Sequence, residues 1–394
     1  MQKDVNDTFV PGETRIKYGG AFFDAEDREA IDAVLDRNWW TIDEEARKLE
    51  LELADVTETE YATITNSGSS SLFVMYSVLS QLGYSGEIIT GAVQFPTAIS
   101  SMVWNGFEPV YVDTEKDNFC IDVKKIENAI TDETVAILAV NIAGNMPDID
   151  ELIYISEKYG ILLLLDNADG FGGFWDGKPV ESFFDMAITS FHAAHILNMG
   201  EGGAIFTSNP KFNEVAHSIR EWGRVGDTDS NKVFDDIPAD YPGRYIFQYL
   251  GMNLKPLELQ CALGRTQLKK LDIIKNKRSD NFDILKEGLK DVDQVNLPEV
   301  YYQCKASWFS FPMNVKDRAG LREFLESRNI ETRTIFGGNI MRQPAYKNIG
   351  RSSGELTEAN ICMTDGMFVS VHPNSTPEMM DYVVKSIKEY YNEF

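Results

Sequence analysis

Apolar positions in the first two-thirds of the chain fall into short continuous runs, separated by stripes of helical period. Residues 61–65, 87–90, 110–113, 135–140 and 161–165 read as strands. The last of these, Ile161-Leu162-Leu163-Leu164-Leu165, is apolar at every position, as happens when both faces of a sheet are covered. Helices are predicted between and before them at 24–36, 44–55, 72–82, 97–104, 123–130 and 150–159. In the first, Ile31, Val34 and Leu35 make one stripe, and acidic residues crowd the N-terminal turn where the helix dipole favours them. Two further strands are predicted at 186–189 and 204–207. Strands alternating with helices indicate an α/β core with a mostly parallel sheet.

The pattern then changes. A polar stretch containing Pro and Gly runs from 226 to 249, and a long helix is predicted at 257–271. Beyond about residue 274 come a helix at 277–289, a strand at 308–313, a helix at 319–328, an extended segment at 331–335 and a closing helix at 377–391. The chain therefore divides into a large domain (45–273) and a small C-terminal α+β domain (274–394), with residues 1–44 packing on the latter. No internal repeat and no low-complexity tract is visible.

A chain of 394 residues, 43% hydrophobic and 25% charged, is an ordinary globular composition of two-domain size. The balance of 37 basic and 62 acidic residues gives a net charge of −25, which argues against nucleic acid as a partner. Any anionic ligand would then need basic residues gathered locally at its site. No apolar run approaches the ~20 residues of a membrane span. The start, Met1-Gln2-Lys3-Asp4, has no signal-peptide apolar region, so a cytoplasmic location is expected. Cys120, Cys261, Cys304 and Cys362 lie far apart, with no spacing that suggests a metal site or an iron–sulfur cluster.

Candidate chemistry concentrates in Ser190-Phe191-His192-Ala193-Ala194-His195, followed by Ile196-Leu197-Asn198-Met199-Gly200-Glu201-Gly202-Gly203. Ser190 leaves one strand and His195 follows five residues later, so both can face one cavity while Gly200, Gly202 and Gly203 turn the backbone back. Taken alone, His195 is equally a buried, hydrogen-bonded histidine. Asn66-Ser67-Gly68-Ser69-Ser70-Ser71 opens a helix and exposes free backbone N–H groups, a phosphate-binding arrangement that is also an ordinary serine cap. Asp166 ends an apolar strand at its C-terminal edge, where α/β sheets bind ligands, and could also be a helix cap.

These segments resemble, nearly end to end, the pyridoxal-phosphate enzymes of fold type I that build amino and deoxy sugars on nucleotide carriers. Their pattern is roughly Ser-Phe-His-x-x-Lys-x-x-x-x-Gly-Glu-Gly-Gly, and His195 stands at the lysine. That exchange resembles the branch of nucleotide-linked 4-keto-6-deoxysugar 3-dehydratases. The resemblance implies a large domain with a mostly parallel sheet between helices plus a small α+β domain. It implies that Gly68 and Ser69 hold the cofactor phosphate with Ser190, that Asp166 pairs with the pyridine nitrogen and Asp169 lies near the phenolic edge, and that Phe95 stacks on the ring. The family's Glu-Asp-x-x pattern stands here as Leu165-Asp166-Asn167-Ala168, with Leu165 expected in the core. Asn253 matches an asparagine that reaches the partner's cofactor phosphate in family dimers, which implies a homodimer with shared sites. Lys255 stands where most relatives have arginine. Arg224, Arg333, Asn339 and His372 match other substrate-side positions.

A histidine cannot tether the cofactor as lysine does, but it can move a proton near neutral pH. The resemblance thus implies pyridoxal phosphate and pyridoxamine phosphate bound non-covalently, glutamate as amino donor and a nucleotide-sugar substrate. His195 would serve as acid/base while the C3 hydroxyl leaves, the products being a 3-deoxy sugar and ammonia. A relative acting on CDP-sugars adds a [2Fe–2S] cluster on grouped cysteines; that grouping is missing here, and no such centre is expected. Two alternatives stay open: a sugar aminotransferase that has lost its lysine, and an inactive binding protein that keeps the fold.

Overall fold

The computed structural model describes residues 9–225, 234–238 and 240–392. Five strands, β1 (Tyr61–Thr65), β2 (Glu87–Gly91), β3 (Glu108–Val112), β4 (Thr134–Val140) and β5 (Leu162–Asp166), fall within a residue or two of their predicted positions. The helices before and among them are α1 (Ala25–Arg37), α2 (Glu44–Thr57), α3 (Gly68–Gln81), α4 (Pro96–Trp104) and α5 (Ile149–Tyr159). A small hairpin, β6 (Phe174–Trp175) and β7 (Lys178–Pro179), precedes β8 (Met186–Ser190), β9 (Gly203–Thr207) and α6 (Pro210–Arg220). Next come α7 (Glu258–Lys269), α8 (Leu271–Leu289), β10 (Val295–Asn296), β11 (Cys304–Lys305) and β12 (Ser310–Val315). The chain closes with α9 (Arg318–Ser327), β13 (Thr332–Thr334), β14 (Arg351–Ser352), α10 (Thr357–Asp365), β15 (Gly366–Ser370) and α11 (Pro377–Tyr391).

The large sheet has the order β1-β9-β8-β5-β4-β2-β3-β14. Its pairings from β8 through β14 are parallel, and β9 runs antiparallel to both β8 and β1. Separate hydrophobic clusters cover its two faces, with Leu163 and Leu165 in one and Leu164 in the other. This explains the uninterrupted leucines of β5: in a sheet buried on both sides, no position along the strand faces water. A second sheet, β10-β12-β15-β13, packs with α8 and α11 around a third cluster.

Several sequence expectations are corrected. The predicted helix at 123–130 is two short 3-10 turns, Val123–Lys125 and Glu127–Ala129. In α1, Val34 is buried but Leu35 is 42% exposed, and the helix instead turns the capping-box residue Asp27 inward. Helix α3 begins at Gly68, four residues ahead of the prediction, because the Ser67 hydroxyl caps the Ser70 N–H. Helices α6 and α10 had not been read from the sequence. The polar stretch 226–249 lies partly outside the described residues.

The N-terminal residues serve both units. Residues 12–20 run along the small domain, where Ile16 N donates to Asn329 O and Glu331 N donates to Ile16 O. Helix α1 then packs on α7. That contact is polar and buried: the Asp27 carboxylate accepts from Lys270 Nζ (2.7 Å), Gln267 Nε2 (3.0 Å) and the Thr266 hydroxyl (2.5 Å). Helix α8 is continuous from 271 to 289 and carries residues of both the first cluster (Leu271, Ile274) and the third (Phe282, Leu285).

The Asp27 anchor gives a stability prediction. Burial works against its ionisation, yet hydrogen bonds from Lys270, Thr266, the Asp24 amide and Gln267 hold the carboxyl below the ordinary range. A depressed carboxyl stabilises the fold above its unfolded value of about 3.9 and loses that effect as pH falls through the folded value. Asp27→Ala should lower stability by about 3 kcal/mol at pH 7, since it removes one partner of a buried pair. Thermal melts at pH 7 and pH 3 check this: the deficit should shrink at the lower pH.

Candidate active site

The C-terminal ends of the parallel strands converge on one cavity of about 510 Å³. Its lining includes Gly68 after β1, Phe95 after β2, Asn141 after β4, Asp166 and Asp169 after β5, and Ser190, His192 and His195 after β8. The small domain closes it with Phe309, Arg333, Thr334, Phe336 and Phe368, and the N-terminal segment adds Tyr18.

The floor is the start of α3. A Cβ on Gly68 would lie 2.6 Å from the Ser190 Cβ, and one on Gly203 would lie 2.6 Å from Ser67 O, so only glycine lets this helix end meet β8 and β9 so closely. The first N–H groups of a helix have no partner within it. The Ser67 hydroxyl takes that of Ser70 at 3.1 Å, which leaves the amides of Gly68 and Ser69 beside the Ser190 hydroxyl at the cavity edge. Of the three glycines predicted to turn the later loop, only Gly200 has a left-handed φ (+78°); Gly203 is required for close approach.

His195 is held on every side. Its Nδ1 lies 3.2 Å from the Ser190 carbonyl oxygen, which can only accept, so Nδ1 carries the proton and Nε2 a lone pair. Nε2 lies 3.6 Å from Asp169 Oδ1. The ring packs edge-on against Phe309, centroid to centroid 5.4 Å. Behind it the buried Arg278 guanidinium of α8 donates to the carbonyls of Ala194, His195, Trp308 and Phe309. Burial and the neighbouring His192 push the His195 imidazole down to about 4. Burial likewise pushes Asp169 up to about 7, against a hydrogen bond from the Ala143 amide. Both members of the pair are thus driven toward neutrality. Ala143 supplies that amide from a left-handed conformation (φ +55°), a strained backbone next to the site.

Asp166 is 4% exposed, accepts the Ala168 N–H at 3.1 Å, and makes no ion pair among the described residues. Burial raises it to about 6. Leu165 is fully buried, as expected. Phe95 is half exposed, lines the cavity and meets Phe336 in a T-shaped contact, centroid to centroid 5.9 Å. The basic concentration expected for an anionic ligand is thin: of the arginines and lysines among the described residues, only Arg333 lines the cavity, its guanidinium 4.3 Å over the Tyr18 ring.

The remaining expected residues lie elsewhere. Asn339 uses both amide atoms, on Asn360 and on the Met341 N–H. His372 is buried between the Gly20 carbonyl and the Asn374 amide. Arg224 and Lys255 meet at the Trp222 ring, 4.3 Å and 3.3 Å from its centroid, with Asn253 paired to Glu221 beside them. Arg224 lines a different, larger cleft of about 740 Å³ with His217, Arg220 and Gln248. Burial lowers the Lys255 amine to about 8. Sequence reasoning missed Tyr18, Asn141, Phe309 and the Arg278 clamp, which carry no local motif.

Together the two sheets and the strand-end cavity are those of a fold type I pyridoxal-phosphate-dependent transferase. Residues 22–388 match the DegT/DnrJ/EryC1/StrS aminotransferase family, and the chain belongs to it. A dTDP-4-dehydro-2,6-dideoxy-D-glucose 3-dehydratase of Saccharopolyspora spinosa is 36% identical over 407 residues, covering 97% of this chain and 88% of that protein. The lipopolysaccharide biosynthesis protein RfbH of Salmonella typhimurium is 32% identical over 408 residues, covering 97% and 93%. The solved structure of E coli GDP-4-keto-6-deoxy-D-mannose-3-dehydratase with bound hydrated PLP superposes with a TM-score of 0.88 at 27% identity, covering 95% of this chain and all of that one.

The cavity fits that cofactor on its own chemistry. It offers helix-terminal amides for a phosphate, a buried acid without an ion pair among the described residues for a protonated ring nitrogen, and a half-exposed aromatic ring. The unpaired acid has a measurable cost. A carboxyl raised from 3.9 to about 6 stabilises the fold below the unfolded value and loses that effect as pH rises through the folded one. Asp166→Asn should therefore stabilise the cofactor-free protein by up to about 3 kcal/mol at pH 8 and by little at pH 4, while weakening cofactor binding. Denaturant melts at the two pH values, with a cofactor titration, check both halves.

Proposed function

We propose that this chain is a pyridoxamine-phosphate-dependent 3-dehydratase acting on a nucleotide-linked 4-keto-6-deoxyhexose, with glutamate as amino donor. One observation carries the reading: among the described residues no lysine lines the cavity, and His195, whose Nε2 carries a lone pair, does, at the place the resembling sequence pattern gives to lysine. The names of the two 3-dehydratase relatives support it.

In this reading Gly68 and Ser69 hold the cofactor phosphate through their amides, with the Ser190 hydroxyl. Asp166 keeps the ring nitrogen protonated, Phe95 covers one face of the ring and excludes water there, and Asp169 sits at its polar edge. When bound, the cofactor supplies an electron sink that lets the C3 hydroxyl of a 4-keto sugar depart. His195 Nε2 is the atom that takes and returns a proton, because Ser190 O holds the tautomer and Phe309 and Arg278 hold the ring and its backbone. Asp169 stabilises the imidazolium that results. Arg333 at the mouth meets an anionic part of the substrate. Lacking a tether, the cofactor is bound non-covalently, and water rather than an amine side chain releases the product.

Asn253, Lys255 and Arg224 lie outside this cavity, which supports a homodimer in which they serve the partner's site. Asn339 and His372 then act by supporting the cavity wall. The large domain ends and the small one begins within α8. The aminotransferase name of the family favours the alternative, a sugar aminotransferase that has lost its lysine, and the reaction product separates the two.

The test is product analysis with pyridoxal phosphate, glutamate and 4-keto-6-deoxy sugars on dTDP and GDP, the nucleotides named for the relatives. A 3-deoxy sugar and ammonia should form, and borohydride should leave no cofactor fixed to the chain. An amino sugar, or a covalently fixed cofactor, would reject the reading. His195→Asn should abolish turnover, at least about a hundredfold, without loss of cofactor binding.

A further inference from the structure

Behind the Asp166 turn lies a buried polar relay that no motif announces. Asn141 (1% exposed) donates from Nδ2 to Asn167 Oδ1 at 2.7 Å, and Asn167 (0% exposed) donates from Nδ2 to Glu181 Oε1 at 2.6 Å. Glu181 is itself 1% exposed, and the cation facing it is Lys275 of α8. The chain of contacts has a fixed polarity. With its NH₂ on Glu181, which accepts there, Asn167 turns its carbonyl toward Asn141. Asn141 must then spend its own NH₂ on Asn167. Its side-chain oxygen is buried and has no partner among the described residues, and Asn141 itself lines the cavity.

An orphaned buried acceptor is costly, and natural proteins satisfy such atoms with a partner, often a ligand. We infer that Asn141 is a further ligand-contacting residue, presenting its side-chain oxygen to an N–H or O–H donor of the bound cofactor. Glu181 is the positioning residue that enforces this orientation through Asn167. The inference rests on reading the cavity as the cofactor site. It adds a third acceptor to a wall that already holds Asp166 and Asp169, and it gives the buried Glu181, remote from the cavity lining, a role at the site.

Equilibrium dialysis of the full chain against pyridoxamine 5′-phosphate tests it without turnover. Asn141→Leu should weaken binding about tenfold, the worth of one hydrogen bond. Glu181→Leu should weaken it comparably, while Glu181→Gln, which keeps an acceptor for Asn167, should bind within about threefold of the natural protein. The double variant Asn141→Leu/Glu181→Leu should bind no more weakly than Asn141→Leu alone, because Glu181 acts through Asn141; a general loss of structure would add instead. Unchanged binding in Asn141→Leu, or additive losses in the double variant, would overturn the inference. Failure of the natural protein to bind the cofactor would instead overturn the reading of the cavity. If leucine at 181 prevents folding, Asn141→Leu against the natural protein decides alone.

Discussion

The hydrogen bond from His195 Nδ1 to the Ser190 carbonyl is the contact on which the site depends. It fixes the tautomer, and the tautomer decides whether Nε2 can take a proton. The contact exists only because of distant arrangements. Ser190 lies at the end of β8, which meets the start of α3 at a distance that glycine at 68 alone permits. The carbonyls of Ala194 and His195 are gripped from the far side by Arg278, which also grips Trp308 and Phe309 at the lead-in to β12. One guanidinium thus ties the histidine turn to the small domain, so the two units cannot separate without loosening the proposed base.

Electrostatically the site runs against the needs of stability. Asp166, Asp169 and Glu181 are all buried and all pushed up, to about 6, 7 and 7. Each would be easier to bury as an amide or a leucine. Their retention in one small region is the pattern expected where ligand binding, and not folding, fixes the residue. The net charge of −25 is not answered by a positive cavity, to which Arg333 alone among the described arginines and lysines contributes. In the proposed reading neutral backbone amides do the work of charge at the phosphate end, an arrangement that an acidic protein can maintain without altering its composition.

Much of the site could be read from the sequence because it is written in continuous segments. Gly68-Ser69, Asp166 to Asp169 and Ser190 to His195 each leave one strand end, and strand ends are what apolar runs locate well. Arg278, Asn141 and Glu181 could not be read this way. Arg278 sits mid-helix among ordinary charged residues, and its meaning lies in four carbonyls that other segments bring to it. Asn339 and His372 matched by position yet spend their polar atoms on neighbouring backbone and side chains. The 3-10 turns at 123–129 misled for a different reason: their apolar spacing suits a helix, but no four-residue backbone ladder forms over so short a stretch. The inward Asp27 of α1 shows the same limit, since an acidic residue in a first turn reads as solvent-facing until its lysine is found 243 residues away.

Why an imidazole suits this cavity better than an amine follows from the burial itself. Burial drives His195 down to about 4 and the Arg278 guanidinium behind it down to about 9. An isolated proton arriving at Nε2 would therefore be poorly held. Asp169 changes that, because its oxygen lies 3.6 Å from Nε2 and as a carboxylate it favours the imidazolium. A neutral acid beside a neutral base has the same net charge as a carboxylate beside an imidazolium, so a proton can pass between them while the pair keeps its total charge. What burial disfavours for either group alone it disfavours less for the two together, since a carboxylate beside an imidazolium is a net-neutral pair.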